Sequence, residues 1–268
     1  MINRLDEIIA KKQQEITAIK TITAENPNHI YYKILSGEAS HPHPKTVVTA
    51  LRKQNQLSVI AEIKRRSPSK GLLGNIPDPS KLATDYVMGG ASAISVLTEK
   101  YFFSGNLADL EQVVTTLQQQ DIPILRKDFI LDEIQIAESI AAGANIILCI
   151  VAAAKEKTKE IIQKSKTLGL SVLTEVIDED EIDIALESGA EIIAINNRNL
   201  RTFEIDNHRS FHLIKYIPKN IIKVAASGIS SPEQAKAYYQ AGFDAVLIGE
   251  ALVKTTDPKT FIRACYDT

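Results

Sequence analysis

Residues 58–71 read SVIAEIKRRSPSKG. Val59, Ile60, Ala61 and Ile63 make the start of a buried strand. Strand side chains alternate between two faces, so Glu62 and Lys64, two positions apart, share one side. If that side is the interior, two charges stand where apolar residues normally go, and buried charges are costly unless paired or used. The pair makes sense at the inner upper end of a barrel strand, and the rest of the chain bears out the rhythm of such a barrel.

Short β-branched runs alternate with longer helical segments from residue 58 onward. They are SVIAEIKR (58–65), ASAISVLTE (91–99), PILRKDFI (123–130), ANIILCIVA (144–152), SVLTEVID (171–178), EIIAINNRN (191–199), IKVAASGI (222–229) and DAVLIGEAL (244–252). Gly90, Gly143, Gly189 and Gly242 each stand just ahead of a strand, where a helix ends. Asp78-Pro79, Asp132-Glu133, Asp178-Glu179-Asp180 and Ser231-Pro232 offer helix-starting caps. Near-continuous apolar strands separated by helices indicate a parallel sheet covered on its outer face. Eight such units predict an α/β fold, a (β/α)8 TIM barrel. The expected organisation is one barrel domain over 1–268, of which 1–45 form an N-terminal helical extension. A doubly wound open sheet is the alternative, but no GxGxxG follows the first strand and no GxxxxGK[ST] loop is present.

The totals fit. The 268 residues are 44% hydrophobic and 24% charged, ordinary for a soluble globular chain. A net charge of −2 gives no electrostatic reason to expect nucleic acid or an anionic membrane as partner. Leu5, Ile8, Ile9, Ile16 and Ile19 recur at helical spacing, and charges interrupt every apolar run, so the N-terminus reads as an amphipathic helix rather than a signal peptide. No stretch has the ~20 apolar residues that span a bilayer. Cys149 and Cys265 make no disulfide framework and no zinc pattern. Cys149, inside IILCIV, reads as a small buried hydrophobe. HPHP at 41–44 reads as a loop rather than a metal site. The cysteine usage fits a cytoplasmic protein.

Active sites of such barrels lie at the C-terminal ends of the strands. There the first strand carries Glu62, Lys64 and Ser67-Pro68-Ser69, the third Arg126-Lys127-Asp128, and the fifth Glu175. The sixth ends in Asn196-Asn197-Arg198, the seventh in Ser227-Gly228 and the eighth in Gly249-Glu250. Arg126 and Asp128 alternate with Lys127, so one set can face the helices as structural ions. Glu62, Lys64, Lys127, Glu175 and Asn196 together would line a mouth with two acids, two amines and an amide. SGIS (227–230) and IGEA (248–251) are glycine loops after strands seven and eight, where these barrels commonly bind phosphate.

IAEIKRRSPSKG, LRKDFILDEIQIAESIAAGANIILCIV, LTEV, INNRNLRTFEID, SGIS and LIGEAL resemble indole-3-glycerol phosphate synthase, the (β/α)8 lyase of tryptophan biosynthesis. The likeness runs from the N-terminal helix to about residue 255. It implies conversion of 1-(2-carboxyphenylamino)-1-deoxyribulose 5-phosphate into indole-3-glycerol phosphate, carbon dioxide and water, without cofactor or metal. By this resemblance Lys127 is the general acid of ring closure. Glu175, with Lys64, serves the proton transfers of dehydration. Lys64 also holds the substrate carboxylate or phosphate, and Glu62 and Asn196 orient hydroxyls and lysines. Ser67, Arg198 and backbone groups of Ser227, Gly228, Gly249 and Glu250 would hold the phosphate. Pro68, Phe103, Phe129, Leu148 and Leu200 match the positions that enclose the aromatic ring.

The chain departs from the family in two places. The usual Glu before the Ser-Gly of strand seven is Ala226, which removes one carboxylate from the pocket. In Phe102-Phe103-Ser104-Gly105-Asn106, Asn replaces a Ser and keeps the polarity. The rival readings are another phosphate-binding barrel enzyme, such as a sugar-phosphate isomerase, and a non-catalytic paralogue that binds the phosphate ligand; Ala226 supports only the second. The expected partner is a phosphorylated small molecule. The expected state is a monofunctional monomer, with association with other pathway enzymes left open.

Overall fold

The computed structural model describes residues 4–41 and 45–266. Eight parallel strands form a closed barrel: β1 Ser58–Ile63, β2 Ala93–Leu97, β3 Ile124–Lys127, β4 Ile146–Ile150, β5 Ser171–Val176, β6 Ile192–Asn196, β7 Ile222–Ala226 and β8 Ala245–Ile248. Each pairs with its neighbour in sequence, and β1 pairs with β8, Ala61 opposite Ile248, to close the ring. Every strand is as short as the sequence spacing predicts, with a helical segment between it and the next.

The alternation of strand side chains splits the core in two. Ile60, Leu125, Leu148, Leu173, Ile192, Val224 and Leu247 form the interior cluster. Their neighbours Val59, Val96, Ile147, Val172, Ile193 and Val246 join the cluster beneath the outer helices. Both faces are dry, which is why the strands carry no polar alternation. Cys149 lies on the outer side, fully buried, and burial pushes its thiol up to about 12. That makes it a packing group and not a nucleophile.

Helix starts follow the expected chemistry. Asp78 accepts from the amides of Ser80 and Lys81, Asp132 from Ile134, Asp178 from Glu181 and Ser231 from Gln234. Gly90, Gly143, Gly189 and Gly242 all take the left-handed conformation after their helices.

The helices ahead of β1 serve both ends of the barrel. Helix Val47–Leu51 adds Val47 and Leu51 to the interior cluster, and Arg52 beside it pairs with Asp244 at 3.1 Å at the start of β8. The long helix Arg4–Ala24 buries Leu5, Ile8 and Ile16 in the same cluster as Phe129 and Leu200 from the opposite end. It is pinned there by Lys12, 3% exposed, which pairs with Asp128 at 2.8 Å. His41 is buried against the Ala144 carbonyl. The remainder of HPHP, residues 42–44, lies outside the described residues.

Candidate active site

At the upper end of β1, Glu62 points inward and pairs with Lys64 at 2.6 Å, its side chain 4% exposed. Burial pushes the Glu62 carboxyl up, but the ammonium groups of Lys64 and Lys127 outweigh it and hold the carboxyl below its ordinary range. The Glu62 charge is thus kept by its neighbours. Gly249, just beyond β8, lets this pair stand: a β-carbon there would run into Glu62 Oε2 and come within 3.1 Å of Lys64 Nζ. Gly249→Ala is therefore expected to displace the pair, by overpacking of about 1–3 kcal/mol. Steady-state kinetics should show kcat/KM falling about tenfold or more, the kinetic equivalent of that range.

A second group stands across the mouth. Lys127 Nζ at the end of β3 lies 3.5 Å from Glu175 Oε2 at the end of β5. Asn196, closing β6, donates its side-chain amide to Glu175 Oε1 at 2.7 Å, and its Oδ1 accepts from the Arg198 backbone amide at 2.9 Å. Burial pulls Lys127 toward its neutral form, but Glu175 and Glu62 prevail and raise it above the ordinary lysine value. Lys127 is therefore a half-buried amine that holds its proton. Arg126 and Asp128 point the other way, as structural ions: Arg126 meets Glu138 at 2.7 Å and Asp128 at 3.3 Å behind the strand.

The polar end of the cleft lies between the loops after β1, β6, β7 and β8. Ser67 Oγ is buried without a hydrogen-bond partner among the described residues. Arg198 reaches Ser69 Oγ at 3.0 Å and the Phe203 carbonyl at 3.1 Å. Ser227 and Gly228 are both left-handed, with φ of +67° and +78°. For Ser227 that is a strained state, held by Asn197, whose amide donates to the Ser227 carbonyl at 3.1 Å and to the Tyr238 hydroxyl at 2.8 Å. Glu250 carries two ammonium partners, Lys70 at 2.8 Å and Lys254 at 2.7 Å.

The opposite end is apolar. Phe103 and Phe129 face each other with ring centroids 6.4 Å apart, and Pro68, Leu148 and Leu200 continue the wall. The residues to which the resemblance assigns catalytic, phosphate-binding and ring-pocket roles all line one cleft of about 660 Å³, whereas Ser69, Arg126 and Asn197 do not line it. The cleft thus offers a cationic and amide-rich end, two amine–carboxylate pairs in the middle, and an aromatic end.

The sequence did not reveal several of its walls. Lys70, which lines the cleft, sits at the turn of a small antiparallel ribbon, Arg66–Ser67 against Gly71–Leu72. The polar run SPSKG was the available signal, but nothing local says that its lysine meets Glu250, 180 residues away. Phe203, Asn207 and Lys254 also line the cleft. Ala226 is 3% exposed, between Asn196 and Leu247 in the sheet, so a longer side chain there would enter the cleft beside Asn196.

Comparison with known proteins identifies the family. The family model described as indole-3-glycerol phosphate synthase matches residues 5–265. Indole-3-glycerol phosphate synthase 1 of Streptomyces coelicolor is 44% identical over 260 residues, 96% of this chain and 93% of that one. The enzyme of Kineococcus radiotolerans is 40% identical over 95% of this chain and 92% of its own. Among solved structures, the fold is shared with 3-hexulose-6-phosphate synthase from Salmonella typhimurium, at a TM-score of 0.62 and 17% identity over 78% of this chain and 96% of that one. The chain belongs to the indole-3-glycerol phosphate synthase family, the carbon–carbon lyases that close and decarboxylate the indole precursor in tryptophan biosynthesis.

Proposed function

We propose that the residues of this cleft divide the family's reaction as follows. The anilino ring sits between Phe103 and Phe129, against Pro68, Leu148 and Leu200. The phosphate lies at the other end, on Ser67, Arg198 and backbone groups of Ser227, Gly228, Gly249 and Glu250. The unpartnered Ser67 hydroxyl and the paired left-handed residues support that end. This orientation brings the sugar ketone to the middle of the cleft.

There the ring carbon bearing the carboxylate attacks the ketone, and the oxygen becomes an alkoxide. Lys127 donates its proton to that oxygen, a favourable transfer because an alkoxide is a far stronger base than an amine. Lys64 holds the departing carboxylate, and loss of carbon dioxide restores the aromatic ring. Glu175, assisted by Lys64, then moves the proton that lets the hydroxyl leave as water. Glu62 orients Lys64, and Asn196 orients Glu175 through its 2.7 Å hydrogen bond.

The observation that carries this division is the pairing of the half-buried Lys127 with the buried Glu175, an acid and a base set at 3.5 Å inside the cleft. Glu175→Gln tests it. Ring closure and decarboxylation should continue while dehydration fails, so an intermediate one water heavier than the product should accumulate in mass spectra of quenched reactions. Direct formation of indole-3-glycerol phosphate at the parent rate would remove Glu175 from the dehydration step.

Ala226→Glu tests the departure on β7. If the missing carboxylate only balances lysine charge, activity should rise or stay near neutral, and a large loss in the steady-state assay would show a differently organised site. For the setting we propose a cytoplasmic monomer, a reading supported by two buried free thiols and a charge of −2. Sedimentation at working concentration tests the monomer.

A further inference from the structure

The aromatic end of the cleft is built from two rings on different loops, and each ring is tied down by a buried carboxylate. Phe129 follows Asp128, whose Oδ1 accepts from the Phe129 amide at 2.8 Å. Phe103 stands in the loop after β2, and the carboxylate of that loop is Glu99, 1% exposed. Its Oε1 accepts from the Tyr101 amide at 3.0 Å. Its Oε2 accepts from the amides of Phe102 at 2.7 Å and Phe103 at 3.0 Å.

A buried carboxylate is costly unless it is paired or used. Glu99 does not line the cleft, and the chemistry proposed above does not call on it. What it organises is the loop. Ser104 is left-handed, with φ of +56°, and turns the chain back so that the Gly105 amide donates to the Glu99 carbonyl at 2.7 Å. A β-carbon at Gly105 would overlap the carbonyl oxygens of Leu97 and Glu99. Residues 99–105 thus close into one turn around the carboxylate. Lys12, already paired with Asp128, also favours the Glu99 charge. The anchors of both rings therefore lie in the field of one ammonium.

Hydrogen bonds to a charged acceptor are the strong kind, and three on successive amides fix the backbone that carries them. Here that backbone sets the Phe103 ring, whose centroid lies 6.4 Å from that of Phe129. A wall that is ordered beforehand does not have to be ordered by the ligand, which favours binding.

We propose that Glu99 is a positioning residue for the aromatic ring of the substrate: its carboxylate fixes the 101–103 backbone, and with it the Phe103 wall opposite Phe129, before substrate arrives. This inference rests on the ring lying between Phe103 and Phe129. Glu99 touches no reacting atom and moves no proton; it acts through Phe103.

Glu99→Ala removes the three acceptors and leaves Phe103 in the chain. The variant is expected to fold, because Lys12 keeps Asp128 and Glu15 as partners and no barrel strand is altered. Steady-state kinetics should show KM raised about tenfold, the upper worth of an aromatic contact, with kcat changed far less. A residue that served only the fold would lower the urea midpoint and leave KM as it is. A double-mutant cycle with Phe103→Ala tests the route, since residues that act through one another do not add. In the Phe103→Ala background, Glu99→Ala should leave KM almost where it stands. Gly105→Ala lifts the same turn with the carboxylate intact, and it should raise KM as Glu99→Ala does. A parent-like KM in Glu99→Ala or in Gly105→Ala would overturn the proposal, and so would an equal further rise on top of Phe103→Ala. If instead Phe103→Ala itself keeps the parent's KM, the placement of the ring fails, whatever Glu99→Ala does.

Discussion

Lys127→Ala is expected to lower turnover by about 10²–10⁴-fold, the range that a positioned general acid contributes. The lysine is half-buried, faces the cleft and is held protonated by Glu175 and Glu62. The other amines that line the cleft are engaged elsewhere, Lys64 with Glu62 at 2.6 Å and Lys70 and Lys254 with Glu250 at 2.8 and 2.7 Å, so none takes its place without rearrangement. Substrate binding should survive, because the phosphate end and the aromatic wall lie elsewhere. The fluorescence of the indole product measures the rate, and equilibrium dialysis of the substrate measures binding. A fall in binding with kcat unchanged would make Lys127 a substrate anchor and not an acid.

The second large effect is on stability. Asp128→Ala is expected to destabilise the protein by about 3–5 kcal/mol, the usual result of removing one partner from a buried ion pair. Asp128 receives Lys12 at 2.8 Å, Arg126 at 3.3 Å, the Thr98 hydroxyl at 2.7 Å and the Phe129 amide at 2.8 Å. Arg126 keeps Glu138, so the stranded charge is mainly Lys12, whose other carboxylate is Glu15. Urea unfolding measures the loss, and a change below about 1 kcal/mol would mean that Lys12 swings out to solvent. Burial pushes the Asp128 carboxyl up, but Lys12 and Arg126 hold it below the ordinary range. Its contribution is therefore present above the unfolded aspartate value near ~3.9 and disappears as pH falls through the lower folded value. Lys12 is shifted the opposite way: burial lowers it, Asp128 prevails and raises it. Its share is complete below the unfolded lysine value and is lost as pH rises through the folded one. The pair thus stabilises the whole neutral range and yields only at the extremes.

Much of this molecule is written locally. Each barrel strand is a β-branched run of about the right length, and each cap is a side chain within three residues of the amides it binds. Two-residue alternation sends Glu62, Lys127 and Glu175 inward and Arg126 outward, so the strand ends reveal the site once the barrel is recognised. The resemblance to a known family then names the chemistry. What stays hidden is long-range. Lys70 finds Glu250 only because the ribbon after β1 folds toward β8. Lys12 finds Asp128 only because the first helix packs across the mouth. Amphipathic spacing predicted that the first helix packs on the barrel, but carried no signal of which end it would cover.

Ala226 is the strongest challenge to a working active site, because it leaves β7 without a carboxylate in the cleft. The most direct measurement is therefore a fluorescence assay of the purified, unmodified protein with 1-(2-carboxyphenylamino)-1-deoxyribulose 5-phosphate. Steady formation of indole-3-glycerol phosphate with release of carbon dioxide is the predicted result. Saturable binding of the substrate with no product would contradict the account and leave a ligand-binding barrel in its place.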